Sequence, residues 1–341
     1  MSRLKSLQYY LITRVMLAPL MIWTITTVVF LLLRATPGDP VSAILGTKAT
    51  AAQKAALQAQ LGLDVPLFQQ YVTYLGDLLQ LDLGQSLSSQ GVTVWDIIRS
   101  FFPGTAELAV FSMLFALMVG VAAGILSSSR PGSGLDLGGR LFGIVTYAVP
   151  LFWLGMLLQL IFHVQLGWFP VGSRFPADQI PPEGPTGLYT VDSLLTGDFA
   201  AFRTALHHLV LPCTSLGLVL SGIFERIVRV NLRETLQSDY VEAARARGIP
   251  ERRVLTVHAF KNALIPVVTV FGLTFAAMLG GAVLTEVTFS WEGLGGELFK
   301  AIKERDYPTV QGIIVFFSII IVMASILIDI INAYIDPRIR Y

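Results

Sequence analysis

DYVEAARARGIPERRVLTVHAFKNALIP, Asp239 to Pro266, is a polar, arginine-rich insert between two apolar segments, each long enough to cross a bilayer. Its local pattern is helix, sharp turn, helix. Asp239 stands where it can cap the first helix, and Glu242 stands where it can reach back to that cap, as in a capping box. Val241, Ala244 and the stems of Arg245 and Arg247 continue a short helix of strong formers. Gly248 supplies the left-handed residue that ends it, and Pro250 restarts the chain at a first-turn position. A short exposed helix held between two membrane spans suits docking to a soluble partner.

Composition places the chain in a membrane independently of that insert. Hydrophobic residues make up 54% and charged residues 14%, with a mean hydropathy of +0.66. The pattern predicts an all-α polytopic protein with about six transmembrane helices: Val15–Leu33, Leu108–Leu126, Leu141–Val164, Leu209–Phe224, Ala263–Thr285 and Ile313–Ile328. The first apolar run is too long for a signal-peptide core, and no A-x-A site follows it, so it is expected to be retained. With the N-terminus inside, fifteen of the 24 Lys and Arg residues fall on the cytoplasmic side, crowded into short loops. Both termini and the Asp239–Pro266 insert are therefore expected in the cytoplasm.

The chain is expected to divide into five parts. Residues 1–34 form a tail and the first span, and 35–104 an external helical cap. Residues 105–335 form the transmembrane core, with a cytoplasmic loop at 231–262 inside it, and 336–341 form a cytoplasmic tail. In the cap, Phe68, Tyr71, Tyr74 and Trp95 need apolar partners, which argues against a bare linker. Ser127–Arg140 reads as a short flexible link, and Gly172–Phe202, with its four prolines, as an irregular loop.

The net charge of +1 gives no argument for nucleic acid, and a DNA-binding reading of Asp239–Pro266 fails on its two flanking spans. The single cysteine, Cys213, excludes an intramolecular disulfide and reads as a small buried hydrophobe. His163, His207 and His208 lack an acidic or Cys ligand at metal spacing, and no metal is expected. Glu225 and Arg229, four apart, can pair on one helix face. Gly120/Gly124 and Gly139/Gly143 have the spacing that lets membrane helices approach closely. Ionisable groups at membrane depth invite a functional reading. Glu286, after Gly280-Gly281 at the outer end of the fifth span, is the best pathway or gate candidate, and Gly280, Gly281 and Gln159 are the others. No Walker A sequence and no nucleophile elbow occur, so no catalytic residue is expected and ATP chemistry needs another chain.

Glu242-Ala243-Ala244 followed by Gly248 resembles the EAA loop of ABC-importer membrane subunits. Where the general form has Ile-x-Leu-Pro, this chain reads His258-Ala259-Phe260-Lys261, and proline comes later, at Pro266. That variant is similar to the dipeptide/oligopeptide/nickel permease branch. So are TPGDP at Thr36–Pro40, HHLVLPCTSLG at His207–Gly217 and the stretch from Gly281 to Gly312. The resemblance runs from the first span to DPRIR near the C-terminus. It implies a bacterial inner-membrane permease subunit that moves di- or oligopeptides, or nickel or another small solute, by alternating access. It also implies two ATPase subunits carrying ATP and Mg, a second related permease, an external binding protein and surrounding lipid. Asp239, Glu242, Ala243, Ala244, Arg245 and Gly248 would then form the coupling loop. An ion-coupled secondary transporter shares the hydropathy but has no use for such a loop.

Overall fold

The computed structural model describes residues 2–35, 41, 50–60, 62–89, 91–280 and 282–335. Among them the regular elements are helices, apart from one isolated antiparallel bridge between Gln85 and Thr93. Helix α1, Ser2–Ala35, carries the first apolar run, and α2, Ala51–Gln60, and α3, Leu67–Leu79, are the short helices after it. The long α4, Val94–Ser129, starts from a capping box between Thr93 and Asp96. Then come α5, Gly134–Ala148, and α6, Leu151–Leu158, which runs on through a π-helical stretch, Gln159–Gln165. Helix α7, Tyr189–Thr196, precedes the long α8, Phe199–Leu236, and the short α9, Asp239–Ala246. A turn of helix, Glu251–Arg253, and a second π-helical stretch, Val254–Ala259, lead into α10, Phe260–Leu279. The chain continues through α11, Val283–Thr288, α12, Leu294–Glu304, and α13, Tyr307–Ile335.

Four described stretches are each long and apolar enough to cross a bilayer: Ile12–Ala35, Val94–Ser129, Phe199–Leu236 and Tyr307–Ile331. The single span expected over Leu141–Val164 is instead two helices, α5 and α6, meeting at 100°. Pro150 has no N–H to extend the ladder, and Val149 before it is held extended at φ −76°, ψ 125°. The six expected spans thus stand as four unbroken helices, this bent pair and the shorter apolar stretch Pro266–Leu279.

The core is the crossing of α4 and α8. Leu108, Met113 and Ala116 of α4 meet Leu209, Leu216 and Phe224 of α8, and Val267 and Met278 of α10 close the cluster. Gly120 lies against the Ser221 carbonyl and Gly124 against Val228, so closely that neither has room for a Cβ. Small residues at this spacing let two backbones meet, as the sequence pairs suggested.

Helix α3 packs onto the end of the first span. Tyr71 and Tyr74 of α3 sit 5.1 Å and 5.5 Å from the Phe30 ring, and Tyr71 Oη lies 2.6 Å from Thr27 Oγ1. Trp95 packs edge-on against Phe316 of α13 and donates to the Leu81 carbonyl. Phe68, expected to need a partner, is instead 77% exposed, since α3 turns its tyrosine face inward. Ser127–Arg140 is not a flexible link: α4 persists to Ser129, α5 starts at Gly134, and buried Asp136 holds the turn between them through the Gly132 N–H. Likewise Gly172–Phe202 is not wholly irregular, because it contains α7 and the start of α8.

A candidate coupling segment and the polar network behind it

Helix α9 is anchored on one face and open on the other. Val241 and Ala244 are buried with Leu232 of α8, Val254 and Ala259, while Asp239, Glu242, Ala243 and Arg245 are exposed. The capping box expected at Asp239 does not form. Ser238 is the residue with extended backbone, at φ −80° and ψ 148°, so the helix starts one position earlier. Its hydroxyl donates back to the Thr235 carbonyl and caps nothing. Asp239 and Glu242 therefore lie inside the first turn, where they complement the positive end of the helix dipole.

Gly248 has the expected left-handed backbone, at φ +74°. Its N–H donates to the Arg245 carbonyl and the Ile249 N–H to the Ala244 carbonyl, which closes the helix end. Pro250 is the N-cap of the following turn, one position before the first-turn place expected for it. Arg245 bridges the two arms: its Nε and Nη2 donate to the two carboxylate oxygens of Glu251 at 3.0 Å and 2.7 Å. That bond holds the Glu251 carboxyl below the usual carboxylate range. The hairpin is thus a bracket fixed by an apolar foot, one left-handed glycine and one bidentate pair.

Behind the bracket, α8 carries a run of charge into the helix crossing. Glu225 is fully buried and accepts from Arg229 Nε at 2.8 Å and from Ser127 Oγ at 3.1 Å. The i,i+4 pairing read from the sequence is present. Gly139 and Gly143 of α5 lie against the Glu225 carboxylate, which uses the room left by their missing Cβ atoms. Asp136 binds Arg140 through both oxygens at 3.0 Å, accepts the Gly132 N–H, and pairs with Arg233 of α8. These bonds join α4, α5 and α8 immediately before α9. Asp136 escaped the sequence reading because its partner Arg233 is distant in sequence and the intervening link looked loose.

Of the remaining predicted site residues, Glu286, Gln159 and Gly280 lie away from this network. Glu286 is buried and accepts from Thr105 Oγ1 at 2.7 Å and from the Gly296 N–H at 2.6 Å, tying α11 to α4 and to the start of α12. Gln159 donates to the Val171 and Thr288 carbonyls. Gly280 ends α10 where a Cβ would fall 2.9 Å from Ile321 Cδ1, so it admits α13 closely. Gly281 lies outside the described residues, as do TPGDP at 36–40 and the last six positions, 336–341. His163, His207 and His208 hold backbone: His163 contacts the Phe169 carbonyl, His207 that of Trp168, and His208 those of Gly172 and Ser173. A buried pair missed by the sequence reading, Arg174 with Glu107 at 3.0 Å, fastens the same loop to α4.

Comparison with known proteins covers most of the chain. Residues 116–341 match the family described as binding-protein-dependent transport system inner membrane component, and residues 7–109 match its N-terminal companion. The chain is 41% identical to the di/tripeptide transport system permease protein DppB of Pseudomonas aeruginosa, covering 93% of this chain and 94% of that protein. It is 39% identical to the dipeptide transport system permease protein DppB of Alkalihalophilus pseudofirmus, over 98% and 100%. It is 34% identical to the oligopeptide transport system permease protein AppB of Bacillus subtilis, over 97% and 99%. Among solved structures, the inward-facing MetNI methionine ABC transporter shares the fold at a TM-score of 0.53 and 15% identity, over 71% of this chain and 97% of that one. The chain belongs to the family of inner membrane components of binding-protein-dependent transport systems.

Proposed function

We propose that this chain is the permease subunit of a peptide importer, moving di- or oligopeptides across the bacterial inner membrane by alternating access. The observation that carries the proposal is the bracket of α9: a rigid helix with a buried foot and an exposed acidic first turn, continuous with a long span. Such a part transmits a push. The names of the relatives supply the substrate class. Two ATPase subunits carrying ATP and Mg dock on α9, a second related permease completes the pathway, and an external binding protein delivers the peptide. Closure of the ATPase pair moves α9, and its foot on Leu232 and Val254 passes the motion to α8 and α10. The push drives transport only if the partners bind the two access states with different affinity. Glu286, Gly280, Gly281 and Gln159 are the gate candidates, and the bonds of Glu286 and Gln159 would have to exchange between states.

Reconstitution of the chain with its partner subunits in proteoliposomes tests this reading. Dipeptide uptake is expected to require ATP, both permeases and the binding protein, while the isolated chain neither binds nor hydrolyses ATP. Uptake driven by an ion gradient without ATPase subunits overturns it.

Sidedness is a separate expectation. The charge bias puts both termini and α9 in the cytoplasm, with the α2–α3 region and the Gly172–Phe202 segment outside. In a Cys213→Ser background, Arg252→Cys should react with an impermeant thiol reagent only in inverted vesicles. Labelling from the outside of intact cells reverses the assignment.

A further inference from the structure

A groove of about 730 Å³ opens between α5 and α8, beside the polar network. Its wall is apolar, with Ile144, Ile223 and Ile227 among its residues, and Arg140, Arg226 and Arg229 stand along it. Both helices belong to stretches that cross or enter the bilayer, and Ile144 and Tyr147 of α5 are 64% and 78% exposed. Charge is unbalanced here. Arg140 and Arg233 share Asp136, Arg229 takes Glu225, and Arg226 enters none of the ion pairs among the described residues. This cluster thus holds four guanidinium groups and two carboxylates, and three of the guanidiniums, on Arg140, Arg226 and Arg229, line the groove. Two groups of the network are buried without a hydrogen-bond partner, Arg233 Nε and Glu225 Oε2, and the second belongs to a residue that lines the groove. A buried acceptor of this kind asks for a donor.

We propose that this groove binds an anionic phospholipid of the phosphatidylglycerol class. An acyl chain lies along the isoleucine wall, the phosphate sits against the arginines, and a headgroup hydroxyl donates to Glu225 Oε2. Basic pockets between membrane helices on the cytoplasmic side recognise anionic headgroups by the same physics. The site adjoins Arg233 and the foot of α9, so an occupied groove braces α5 against α8 where the coupling motion enters. Its position in the transport cycle rests on the peptide-importer reading, but its occupancy does not.

The test is therefore lipid retention, read apart from transport. The full complex is reconstituted in nanodiscs of phosphatidylglycerol and phosphatidylcholine, extracted in mild detergent and weighed by native mass spectrometry. Phosphatidylglycerol is expected to be retained selectively. Arg226→Gln should lower its retention about fivefold, the contribution of one arginine near a charged surface. Ile223→Trp, which fills the groove and leaves its charge, should remove retention of the bound lipid. Equal retention of both lipids, or unchanged retention in both variants, overturns the site. Release by inorganic phosphate as readily as by phosphatidylglycerol marks a free-anion site and overturns the lipid. A crosslink from a photoreactive residue at Ile144 to the second permease shows a protein in the groove and also overturns it. ATP-driven uptake by the same preparation reports separately on the transporter reading.

Discussion

Gly248→Val is expected to abolish ATP-driven peptide uptake while the chain still inserts and accumulates normally. At φ +74° a β-branched residue meets a backbone cost of roughly 1–2 kcal/mol. No atom lies within 4 Å of the missing Cβ, so the cost is purely conformational and is relieved by opening the turn. Opening it breaks the closing bond from Ile249 to Ala244 and separates Arg245 from Glu251. The bilayer-embedded bundle barely registers that loss, but the angle of a three-point bracket does. Gly248→Asn is the control, since Asn enters the left-handed region readily, and it should retain most uptake. Glu242→Lys tests the other face by placing a cation at the positive end of α9, a change on the order of 1 kcal/mol locally. It should weaken docking of the ATPase subunits and substrate-stimulated hydrolysis. Assembly, ATPase rate and uptake are measured in parallel. Wild-type values for both Gly248→Val and Glu242→Lys would make the hairpin a mere connector.

Glu225→Ala is expected to be the most destabilising single change in the α4–α5–α8 crossing, at about 3 kcal/mol, the low end for removing one partner of a buried ion pair. Arg229 is only 16% exposed and loses its carboxylate, and Ser127 keeps only the Gly124 carbonyl as acceptor. The space beside Gly139 and Gly143 is left empty as well. Replacing both charges, as Glu225→Met with Arg229→Met, should recover most of the stability, because no uncompensated charge then remains. Cys213 supplies the readout. It is the only thiol and is buried, so a thiol-reactive dye reports unfolding on heating. A Glu225→Ala melting temperature equal to wild type would remove this network from the stabilising core.

Much of this architecture is visible in the sequence where one local rule acts alone. The left-handed Gly248, the i,i+4 pair of Glu225 and Arg229, and the small-residue contacts of Gly120 and Gly124 each follow from neighbours close in sequence. The failures have a common physical origin. Asp239 looked like the cap, but where α8 ends decides which residue is extended, and that residue is Ser238. One span was expected over Leu141–Val164; Pro150 together with extended Val149 separates it into two helices. Asp136, Glu107 and the histidine–carbonyl contacts depend on partners brought together only by folding. Glu286 is legible as an ionisable group at the end of a span, but its contacts with Thr105 and with the Gly296 N–H of α12 arise only on folding.

The π-helical stretch at Val254–Ala259 has a consequence for chain length. A π turn holds one more residue than an α turn, and each residue advances an α-helix by about 100°. The bracket and α10 are therefore phased through a surplus residue. Removing one residue from this stretch lets an unbroken α-helix run from Glu251 into Phe260 with both flanking faces still in register. Removing one from within α10 rotates everything beyond it. The joint between the bracket and the membrane is thus the place where this chain can lose a residue without losing alignment.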